Sequence, residues 1–558
     1  MKCNNKQNFL GSMLVNEKVI TREQLEKALQ QQSIKGGMIG KTLVQLGYCS
    51  EDDITRVLAS RAGVPFISME SFQVDPAAVA TLSAEATRRY KALPVAFDGD
   101  KLIVAMQKPS DIMVMDDLRI MTGYDISPVV VPDTELEAAI EKYSRESMVV
   151  EPGEEESQLP EDFNADNVTS SERPAVQLVN MIMTQAVTAG ASDVHIELYE
   201  KYMRVRFRID GVLHDIMEPP RRMHASLVSR LKVMANLDIA ERRIPQDGRM
   251  SLKIEGRMID IRVASLPATF GERITMRLLD RSGKMLSLVD LGLEPDMLEK
   301  YRSLIRRPYG LVLVTGPTGS GKTSTLYASL DEVDRVGKNV ITVEDPVEYR
   351  LDGMNQVQLN PKAGLTFASG LRSILRNDPD IIMVGEIRDM ETARTAIEAA
   401  MTGHLVFSTL HTNDAPGAIS RLLEMGVEPF LIASSLSCVV AQRLARTLCP
   451  NCKEPYELSR SELEKIPDFP LPQGEGKALL YRPKGCFRCS NTGYRGRFGV
   501  YEFLFADEKI YRMTLERKSA QEIKDAAVEG GMTTLRKNGL LKVMRGVTSL
   551  EEMLRVVL

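Results

Sequence analysis

The stretch Leu311-Val-Leu-Val-Thr-Gly316-Pro-Thr-Gly-Ser-Gly321-Lys322-Thr323 decides the fold, and a run with helical composition follows it over residues 324–336. Four apolar residues of the kind that strands favour lead into the pattern G-x-x-x-x-G-K-T, and Gly337 ends the run. The predicted order is therefore strand, glycine-rich loop and helix. Glycines let successive backbone N–H groups turn toward phosphate oxygens, and the helix N-terminus adds the positive end of its dipole.

This loop predicts that the chain binds ATP with Mg²⁺. Lys322 is expected to reach the β- and γ-phosphates, and the Thr323 hydroxyl is expected to hold Mg²⁺. The alternative is a glycine-rich surface turn, which the strand before the loop and the helix after it disfavour. The predicted nucleotide-binding residues form one continuous run: Gly316, Pro317, Thr318, Gly319, Ser320, Gly321, Lys322, Thr323 and Ser324.

Composition sets the class of protein. A chain of 558 residues predicts three or four domains, and 43% hydrophobic with 26% charged residues is typical of a soluble globular protein. Residues 1–8 lack the apolar core of a signal peptide, and no run of 18 apolar residues predicts a membrane span. A net charge of −5, 5% aromatic residues and no Trp disfavour nucleic-acid binding.

An internal repeat at an offset of about 29 residues occupies residues 9–61. Thr21 with Gln24, and Ser50 with Asp53, stand where a capping box would begin a helix in each copy. We therefore predict two helical hairpins, the alternative being two amphipathic segments with coincidental spacing. The matched positions are Leu10/Ile39, Gly11/Gly40, Leu14/Leu43, Val15/Val44, Leu25/Ile54 and Leu29/Leu58.

The rest of the chain divides by composition. Short β-rich runs alternate with helices over 64–143, so residues 1–145 are predicted to form a helical plus α/β N-terminal domain. Residues 146–172 contain no Lys or Arg and many Asp and Glu, which predicts a flexible linker that lets the first domain move; an acidic binding tail is the alternative. A second α/β domain is predicted over 173–283, with alternation in 204–208 placing its arginines on one sheet face. The nucleotide domain is predicted over 284–558, with a helical tail over 505–558.

Two strand ends carry candidate catalytic carboxylates. Glu344 follows a predicted strand over 340–343, and Glu386 follows another over 381–384. His411 lies beyond a third strand over 405–408 and is a candidate γ-phosphate sensor. Active sites of α/β proteins lie at the carboxyl ends of strands, and phosphoryl transfer needs carboxylates and cations there. The alternative for each carboxylate is an ion pair with Arg372, Arg376 or Arg388, and for each histidine it is an ordinary hydrogen bond.

Two C-x-x-C pairs predict a structural zinc site within 449–489. Each pair donates two thiolates to tetrahedral Zn²⁺, and four protein ligands leave no open position for catalysis. A redox C-x-x-C would need only one pair. The predicted ligands are Cys449, Cys452, Cys486 and Cys489.

Four segments resemble, in order, the Walker A, Asp box, Walker B and His box of the secretion ATPase superfamily: residues 316–323, 341–348, 371–389 and 402–414. The chain is similar to the branch that serves type II secretion and type IV pilus assembly, and the likeness covers nearly its whole length. The resemblance implies an α/β multidomain fold: a RecA-like P-loop ATPase core, a PAS-like α/β second domain, the N-terminal domain and the tetracysteine zinc insert. It also implies a homohexameric ring with each nucleotide between the second and third domains.

The resemblance assigns roles to particular residues. Glu344 matches the general base, and Glu386 matches the Walker B acid near Mg²⁺. Arg262 and Arg277 match the arginines that reach the phosphates. Further arginines around the site are matched by Arg372, Arg376 and Arg388.

The N-terminal repeat resembles a module that binds cyclic di-GMP through two copies of R-L-G-x-x-L-x-x-x-G. Phe9 and Met38 stand at the two Arg positions, and Lys18 replaces one Gly. Losing both guanidinium groups removes bidentate phosphate contacts. We therefore expect this domain to dock to inner-membrane assembly platform proteins, with cyclic di-GMP as the alternative ligand.

The implied function is a cytoplasmic Mg²⁺-ATPase, peripheral at the inner membrane, that powers pseudopilus assembly and protein export in type II secretion. A type IV pilus assembly ATPase is the first alternative. A nucleic-acid translocase and a nucleotide-sensing scaffold without turnover are the others. The sequence does not choose between a secretion pseudopilus and a surface pilus.

Overall fold

A computed structural model of the chain describes residues 7–69, 72, 74–99, 101–107, 109, 111–146, 150–152, 173–280, 285–471 and 477–557. The chain divides into two compact units, Met1–Ser282 and Gly283–Leu558. Among the described helices, none has the length and apolar character that crossing a membrane requires.

The first unit begins with the internal repeat, and the two predicted helical hairpins are confirmed. Thr21 and Ser50 each form a capping box, with Gln24 and Asp53 respectively. Leu14 and Leu43, which are equivalent in the repeat, are both fully buried in one small core. The helices are α1 Gln7–Asn16, α2 Arg22–Lys35, α3 Ile39–Gln45 and α4 Glu51–Ala62.

A small α/β layer follows the repeat. Strands β1 and β2 pair antiparallel, and β2 and β3 pair parallel, in the order β1-β2-β3. The elements are α5 Pro76–Val79, α6 Ala84–Tyr90, β1 Ala92–Asp98, β2 Lys101–Met106, α7 Ile112–Thr122, β3 Asp125–Val130 and α8 Asp133–Glu146.

The second part of this unit is an antiparallel sheet of seven strands, in the order β4-β8-β9-β10-β5-β6-β7. Along β6, Met203, Val205 and Phe207 are buried while the arginines between them are half-buried, which confirms the predicted alternation. The elements are β4 Val150–Pro152, α9 Arg173–Thr188, β5 Ala191–Leu198, β6 Met203–Ile209, β7 Val212–Met217, α10 His224–Met234, β8 Gln246–Ile254, β9 Arg257–Ala268 and β10 Gly271–Asp280.

The structure places the first two predicted domains against each other. Leu93 and Leu136 share one hydrophobic cluster with Leu178 and Met181 of α9. Within the predicted linker, β4 pairs with β8, and residues 153–172 lie outside the described residues. Burying the apolar faces of α8 and α9 together is favourable, which explains this packing. A flexible linker that lets the first domain move stays a prediction.

The second unit is a mostly parallel seven-stranded sheet with helices on both faces. Its order is β13-β12-β14-β15-β11-β16-β19; only the last pair is antiparallel. The strands of the sheet are β11 Gly310–Thr315, β12 Val340–Glu344, β13 Asn355–Gln358, β14 Ile381–Val384, β15 Leu405–Leu410, β16 Leu436–Leu448 and β19 Tyr494–Phe505. A separate antiparallel pair is formed by β17 Glu454–Leu458 and β18 Ala478–Arg482. Strands β11, β12, β14 and β15 are buried along their whole length, as strands covered on both faces require.

Eleven helices lie within the described residues of this unit, where they surround the sheet or form the C-terminal tail. They are α11 Pro295–Ile305, α12 Lys322–Asp331, α13 Phe367–Ile374, α14 Met390–Met401, α15 Pro416–Glu424, α16 Pro429–Ser435, α17 Arg460–Leu463, α18 Glu508–Leu515, α19 Ala520–Glu529, α20 Leu535–Met544 and, at the very end, α21 Leu550–Val557.

The helix after the glycine-rich loop is shorter than predicted. It ends at Asp331 instead of continuing to Val336. The Asp334 carboxylate accepts hydrogen bonds from the backbone N–H groups of Val336 at 3.1 Å and Gly337 at 3.0 Å. A short acidic side chain that bonds to nearby N–H groups offers the backbone a turn in place of another helical turn.

Candidate nucleotide site and cysteine cluster

The loop between β11 and α12 needs glycine at two positions for steric reasons. Gly316 has φ +149° and Gly321 has φ +85°. A Cβ at Gly316 would lie 2.5 Å from the backbone oxygen of Gln442, and one at Gly321 would lie 2.9 Å from the Nε2 of Gln442. The loop therefore packs closely on β16, a contact that only glycine permits.

Lys322 begins α12 and turns back over the loop. Its Nζ donates hydrogen bonds to the backbone oxygens of Gly316 at 2.9 Å and Pro317 at 3.1 Å. Burial lowers the pKa of Lys322, although the nearby charge of Glu386 opposes this shift. Glu386 is therefore close enough for its charge to act on Lys322, and Thr323 and Ser324 are exposed beside the lysine.

Glu386 lies just beyond β14, between the side chains of Arg388 and His411. Its carboxylate forms an ion pair with Arg388, and its Oε2 lies 3.1 Å from the Nε2 of His411. Burial raises the pKa of Glu386, but the hydrogen bonds and charges of Arg388 and His411 outweigh burial and hold that pKa below its usual range. The structure therefore brings together Lys322, Glu386 and His411, which lie far apart in the sequence.

Glu344 ends β12 in a different environment. It is only 3% exposed and accepts hydrogen bonds from three neutral donors. Thr342 Oγ1 donates at 2.6 Å, Gln356 Nε2 at 3.1 Å, and the hydroxyl of Tyr327 completes the set. Burial and the Glu344 carboxylate together raise the pKa of Tyr327, which keeps its donating proton in place. The sequence analysis did not predict the role of Tyr327, because its position on α12 is typical of a core aromatic residue.

A pair of hydroxyls connects the loop strand to the segment after β15. Thr315 Oγ1 lies 2.7 Å from Thr412 Oγ1 and accepts a hydrogen bond from the Thr412 backbone N–H at 2.8 Å. Thr412 follows His411 directly. The backbone position of the His box is therefore fixed to the end of the strand that carries the phosphate loop.

Gln442 and Arg443 on β16 are further site residues that the sequence analysis missed. Gln442 Oε1 accepts a hydrogen bond from Thr325 Oγ1 at 2.7 Å, and Arg443 donates to the backbone oxygen of Asn413 at 2.9 Å. The charge of Arg443 contributes to lowering the pKa of Lys322. A polar pair directly after the apolar run 438–441 is the signal that marks them.

The remaining candidates have other partners. Arg372 forms an ion pair with Glu391, and Arg376 donates to the backbone oxygen of Arg372 at 2.9 Å. His404, just before β15, has its Nδ1 2.9 Å from the backbone oxygen of Ala399, which is an ordinary hydrogen bond.

In the first unit, Arg262 and Arg277 lie directly opposite each other on β9 and β10. Arg277 Nε lies 3.1 Å from Asp193 Oδ1. The two arginines therefore form one cationic pair on the face of the sheet in that unit.

The four predicted zinc ligands converge. Their sulfur atoms all lie within 4.8 Å of one another, with Cys449–Cys486 at 3.9 Å and Cys452–Cys489 at 3.7 Å. A Zn–S bond of about 2.3 Å places tetrahedral sulfurs about 3.8 Å apart, so the spacing fits Zn²⁺. The Cys489 sulfur also accepts backbone hydrogen bonds from Cys486 at 3.2 Å and Gly493 at 3.3 Å, which favour a thiolate.

Three features together define a P-loop ATPase. They are the doubly wound parallel sheet, the glycine loop with its lysine, and the acidic residues at two neighbouring strand ends. A profile of the family "Type II/IV secretion system protein" matches residues 168–555, and an MshEN domain profile matches residues 62–150. The chain belongs to the type II/IV secretion system protein family.

The chain is similar to one relative named for type IV pilus assembly and to one named for type II secretion. The "Type IV pilus assembly ATPase PilB" of Myxococcus xanthus is 46% identical over 554 residues, covering 97% of this chain and 98% of that protein. The "Type II secretion system ATPase E" of Vibrio cholerae is 50% identical over 388 residues, covering 70% and 76%. Among solved structures, the ATPase DotB of Legionella pneumophila has a TM-score of 0.50 at 21% identity, covering 68% of this chain and 94% of DotB, which shows a shared fold.

Proposed function

We propose that this chain is the cytoplasmic, hexameric, Mg²⁺-dependent ATPase motor that powers pseudopilus assembly and protein export in type II secretion. It hydrolyses ATP to ADP and phosphate. The observation that carries the proposal is the meeting of Lys322, Glu386 and His411 at the carboxyl end of the parallel strands. The finer fold assignment belongs to the same proposal: a RecA-like core in residues 284–558 and a PAS-like second domain in residues 173–283.

The site residues divide the work of phosphoryl transfer. Residues 316–324 cradle the phosphates, and Lys322 moves from the loop carbonyls to the phosphate oxygens. Oxygen ligands suit Mg²⁺, and the exposed Thr323 hydroxyl and the ionised Glu386 carboxylate would hold it; a bound Mg²⁺ would supply positive charge against the phosphates. Glu344 accepts the proton of the attacking water, held in one orientation by its three donors. In the hexamer, Arg262 and Arg277 contact the nucleotide phosphates and stabilise the charge that develops during transfer.

Zinc has a structural role in this proposal. The sulfur spacing and the N–H···S bonds support Zn²⁺ bound by Cys449, Cys452, Cys486 and Cys489, which connects the end of β16 to the start of β19. With four cysteine ligands the ion has no position for substrate.

The N-terminal domain docks to inner-membrane platform proteins and holds the motor at the membrane periphery. Cyclic di-GMP remains the alternative ligand of its repeat, although Phe9 and Met38 replace both phosphate-binding arginines of the resembled module. Titrating labelled cyclic di-GMP against the full chain tests this choice. We expect no saturable binding at low micromolar concentration, and such binding would make the cyclic dinucleotide a regulator of the motor.

A type IV pilus assembly motor is the second candidate. The observation that favours this candidate is the full-length match to the Myxococcus xanthus protein, which is named a type IV pilus assembly ATPase. Both candidates use the same ATPase chemistry, so a cellular phenotype must separate them.

The test replaces the gene with Lys322→Ala, with the exposed Lys362→Ala as the matched control, and follows surface pili and exported enzymes. Trapped enzymes with normal pili support the secretion motor. Lost pili with normal export support the pilus motor. Normal pili and export would contradict both, and stimulation of hydrolysis by DNA or RNA in vitro would favour a translocase instead.

A further inference from the structure

The antiparallel sheet of the first unit carries a row of charged residues across five neighbouring strands. Each member lies directly opposite the next in the strand register: Arg249 on β8, Arg262 on β9, Arg277 on β10, Asp193 on β5 and Arg208 on β6. Their side chains occupy the face opposite the buried apolar residues of the same strands. Four arginines thus stand in line with a single carboxylate among them.

Asp193 is the fixed member of this row. Its side chain is 11% exposed, and Ser192 Oγ donates to its Oδ2 at 2.8 Å. The other carboxylate oxygen, Oδ1, accepts from Arg277 Nε at 3.1 Å. By contrast, the Arg277 side chain is 58% exposed. A buried carboxylate therefore binds an arginine that reaches solvent.

The two arginines beside Asp193 both approach it through Nε, Arg277 at 3.1 Å from Oδ1 and Arg208 at the longer distance of 3.7 Å from Oδ2. Arg206 and Arg273 approach the buried Glu197 through their terminal Nη2 atoms, at 2.7 Å and 3.0 Å. Arg277 instead approaches Asp193 through Nε. A guanidinium that is held at Nε leaves the edge between its two terminal nitrogens free, and that edge presents two parallel N–H donors in the fork geometry that matches phosphate oxygens.

Arg277 needs a partner that orients it, because the arginines of the row otherwise repel one another. Like charges directly opposite each other on neighbouring strands are destabilising, and an exposed arginine loses side-chain entropy when it is ordered. A contact that orders Arg277 before the phosphate arrives lowers the entropy that must be lost in the transition state.

We propose that Asp193 is a positioning residue for ATP hydrolysis, which holds Arg277 at Nε so that both of its terminal amino groups are presented to the nucleotide phosphates. The inference rests on the proposed function, in which Arg277 contacts those phosphates. Asp193 itself does not contact the nucleotide.

The experiment is a double-mutant cycle on ATPase kinetics of the full chain, with Asp193→Asn, Arg277→Ala and the double variant. Asn keeps the shape of Asp193 but loses its charge. We expect Asp193→Asn to lower kcat roughly tenfold with less than about a threefold change in KM, because the contact acts in the transition state. Arg277→Ala should lower kcat by roughly a hundredfold or more, and adding Asp193→Asn to it should change nothing further.

Asp215→Asn is the matched control, since Asp215 lies on the same face, is 61% exposed and pairs with Arg204 at 3.6 Å. It should leave kcat unchanged. Ser192→Ala provides a second, milder test that removes the hydroxyl that anchors Asp193; its smaller loss of kcat should also vanish in the Arg277→Ala background.

The outcomes separate this inference from the proposed function. Loss of kcat in Arg277→Ala but not in Asp193→Asn or Ser192→Ala would overturn the positioning role alone. An equal loss from Asp193→Asn with and without Arg277 would show a purely structural role and overturn it too. An unchanged rate in Arg277→Ala would refute the phosphate contact of the proposed function, and the positioning role with it.

Discussion

Two glutamates at neighbouring strand ends lie in different environments, and these environments agree with the two roles that we propose for them. Glu344 is buried among the neutral donors Tyr327, Thr342 and Gln356. Glu386 is flanked by the cationic Arg388 and by His411. Neutral donors fix the direction of a carboxylate, whereas cations favour its ionised form. The first environment suits a base of fixed orientation, and the second suits a ligand of Mg²⁺.

Replacing Glu344 with Gln separates binding from chemistry. We expect Glu344→Gln to lower kcat by roughly 10²–10⁴-fold, since proton transfer from water is lost, while ATP binding persists because the phosphate loop is intact. Fluorescent ATP analogues measure binding and phosphate release measures turnover. Glu424→Gln, on α15 with its side chain 65% exposed, is the control and should behave like the wild type. Unchanged phosphate release in Glu344→Gln would favour a nucleotide-sensing scaffold.

The lowered pKa of Glu386 predicts a pH-dependent loss of stability in Arg388→Ala. A carboxylate whose pKa is lower in the folded state stabilises the fold above its unfolded pKa, and this contribution disappears as the pH falls through the folded pKa. Without Arg388 the variant should be less stable than the wild type at pH 7, and the two should converge below about pH 4. Denaturant unfolding across this range measures the difference. A gap that is constant with pH would contradict an electrostatic origin.

At the scale of elements, a buried carboxylate on β19 joins two helices to the sheet. Glu502 is 1% exposed; its Oε1 accepts the backbone N–H of Ala415 at 2.8 Å and its Oε2 that of Leu535 at 3.1 Å. Ala415 precedes α15, directly after the His box, and Leu535 begins α20. One side chain therefore connects the C-terminal tail to the segment that carries His411.

Glu502→Gln should destabilise the second unit. The amide NH₂ would face a backbone N–H, so one buried donor loses its acceptor, at a cost of about 1–3 kcal/mol in unfolding free energy. Chemical denaturation measures the change in unfolding free energy. Glu508→Gln is the control and should leave it unchanged, because the Glu508 side chain is 76% exposed.

The same variant tests the pKa of Glu502, which burial raises above its usual range. A raised carboxylate pKa makes the folded state bind its proton more tightly, so this residue's contribution to stability grows as the pH falls through the folded pKa. Glu502→Gln should lose that component of the pH dependence. Parallel stability–pH curves for the two proteins would refute the raised pKa.

Zinc should stabilise the β16–β19 connection. We expect about one Zn²⁺ per chain by elemental analysis, and we expect Cys486→Ser or a strong chelator to remove it and lower the thermal unfolding temperature. Cys49→Ser, in the N-terminal repeat, is the control and should keep its zinc. A chain that unfolds at the same temperature with and without the metal would refute a stabilising zinc site.

At the scale of the whole molecule, arginines contributed within a hexamer should make hydrolysis depend on assembly. The rate per chain should rise with protein concentration and level off once hexamers form, and platform proteins should increase it further, because both position Arg262 and Arg277. ATPase assays run alongside light scattering measure this. Arg277→Ala should assemble normally while remaining slow. A rate per chain that is independent of concentration and of partner would contradict a ring motor.

Much of this protein was predictable because the signals are local. The strand–loop–helix order around Lys322, the capping boxes at Thr21 and Ser50 and the two C-x-x-C pairs each lie within a few residues of sequence, so short-range geometry determines them. The acidic ends of β12 and β14 followed from apolar runs that stop at Glu344 and Glu386. The order of the four boxes then indicated the family.

Contacts between distant segments were decided only by the tertiary structure. Three such contacts depend on which strands and helices become neighbours. They are the hydrogen bond that Tyr327 donates to Glu344, the close approach of Gln442 to Gly316, and the pairing of Asp193 with Arg277. The packing of the first domain on α9 likewise depends on apolar faces that are far apart in the sequence. The acidic segment 146–172 between them carries no sign of this contact. Sequence patterns specify which face of an element is apolar or charged, but the partner of that face is selected by the free energy of burying it in the whole fold.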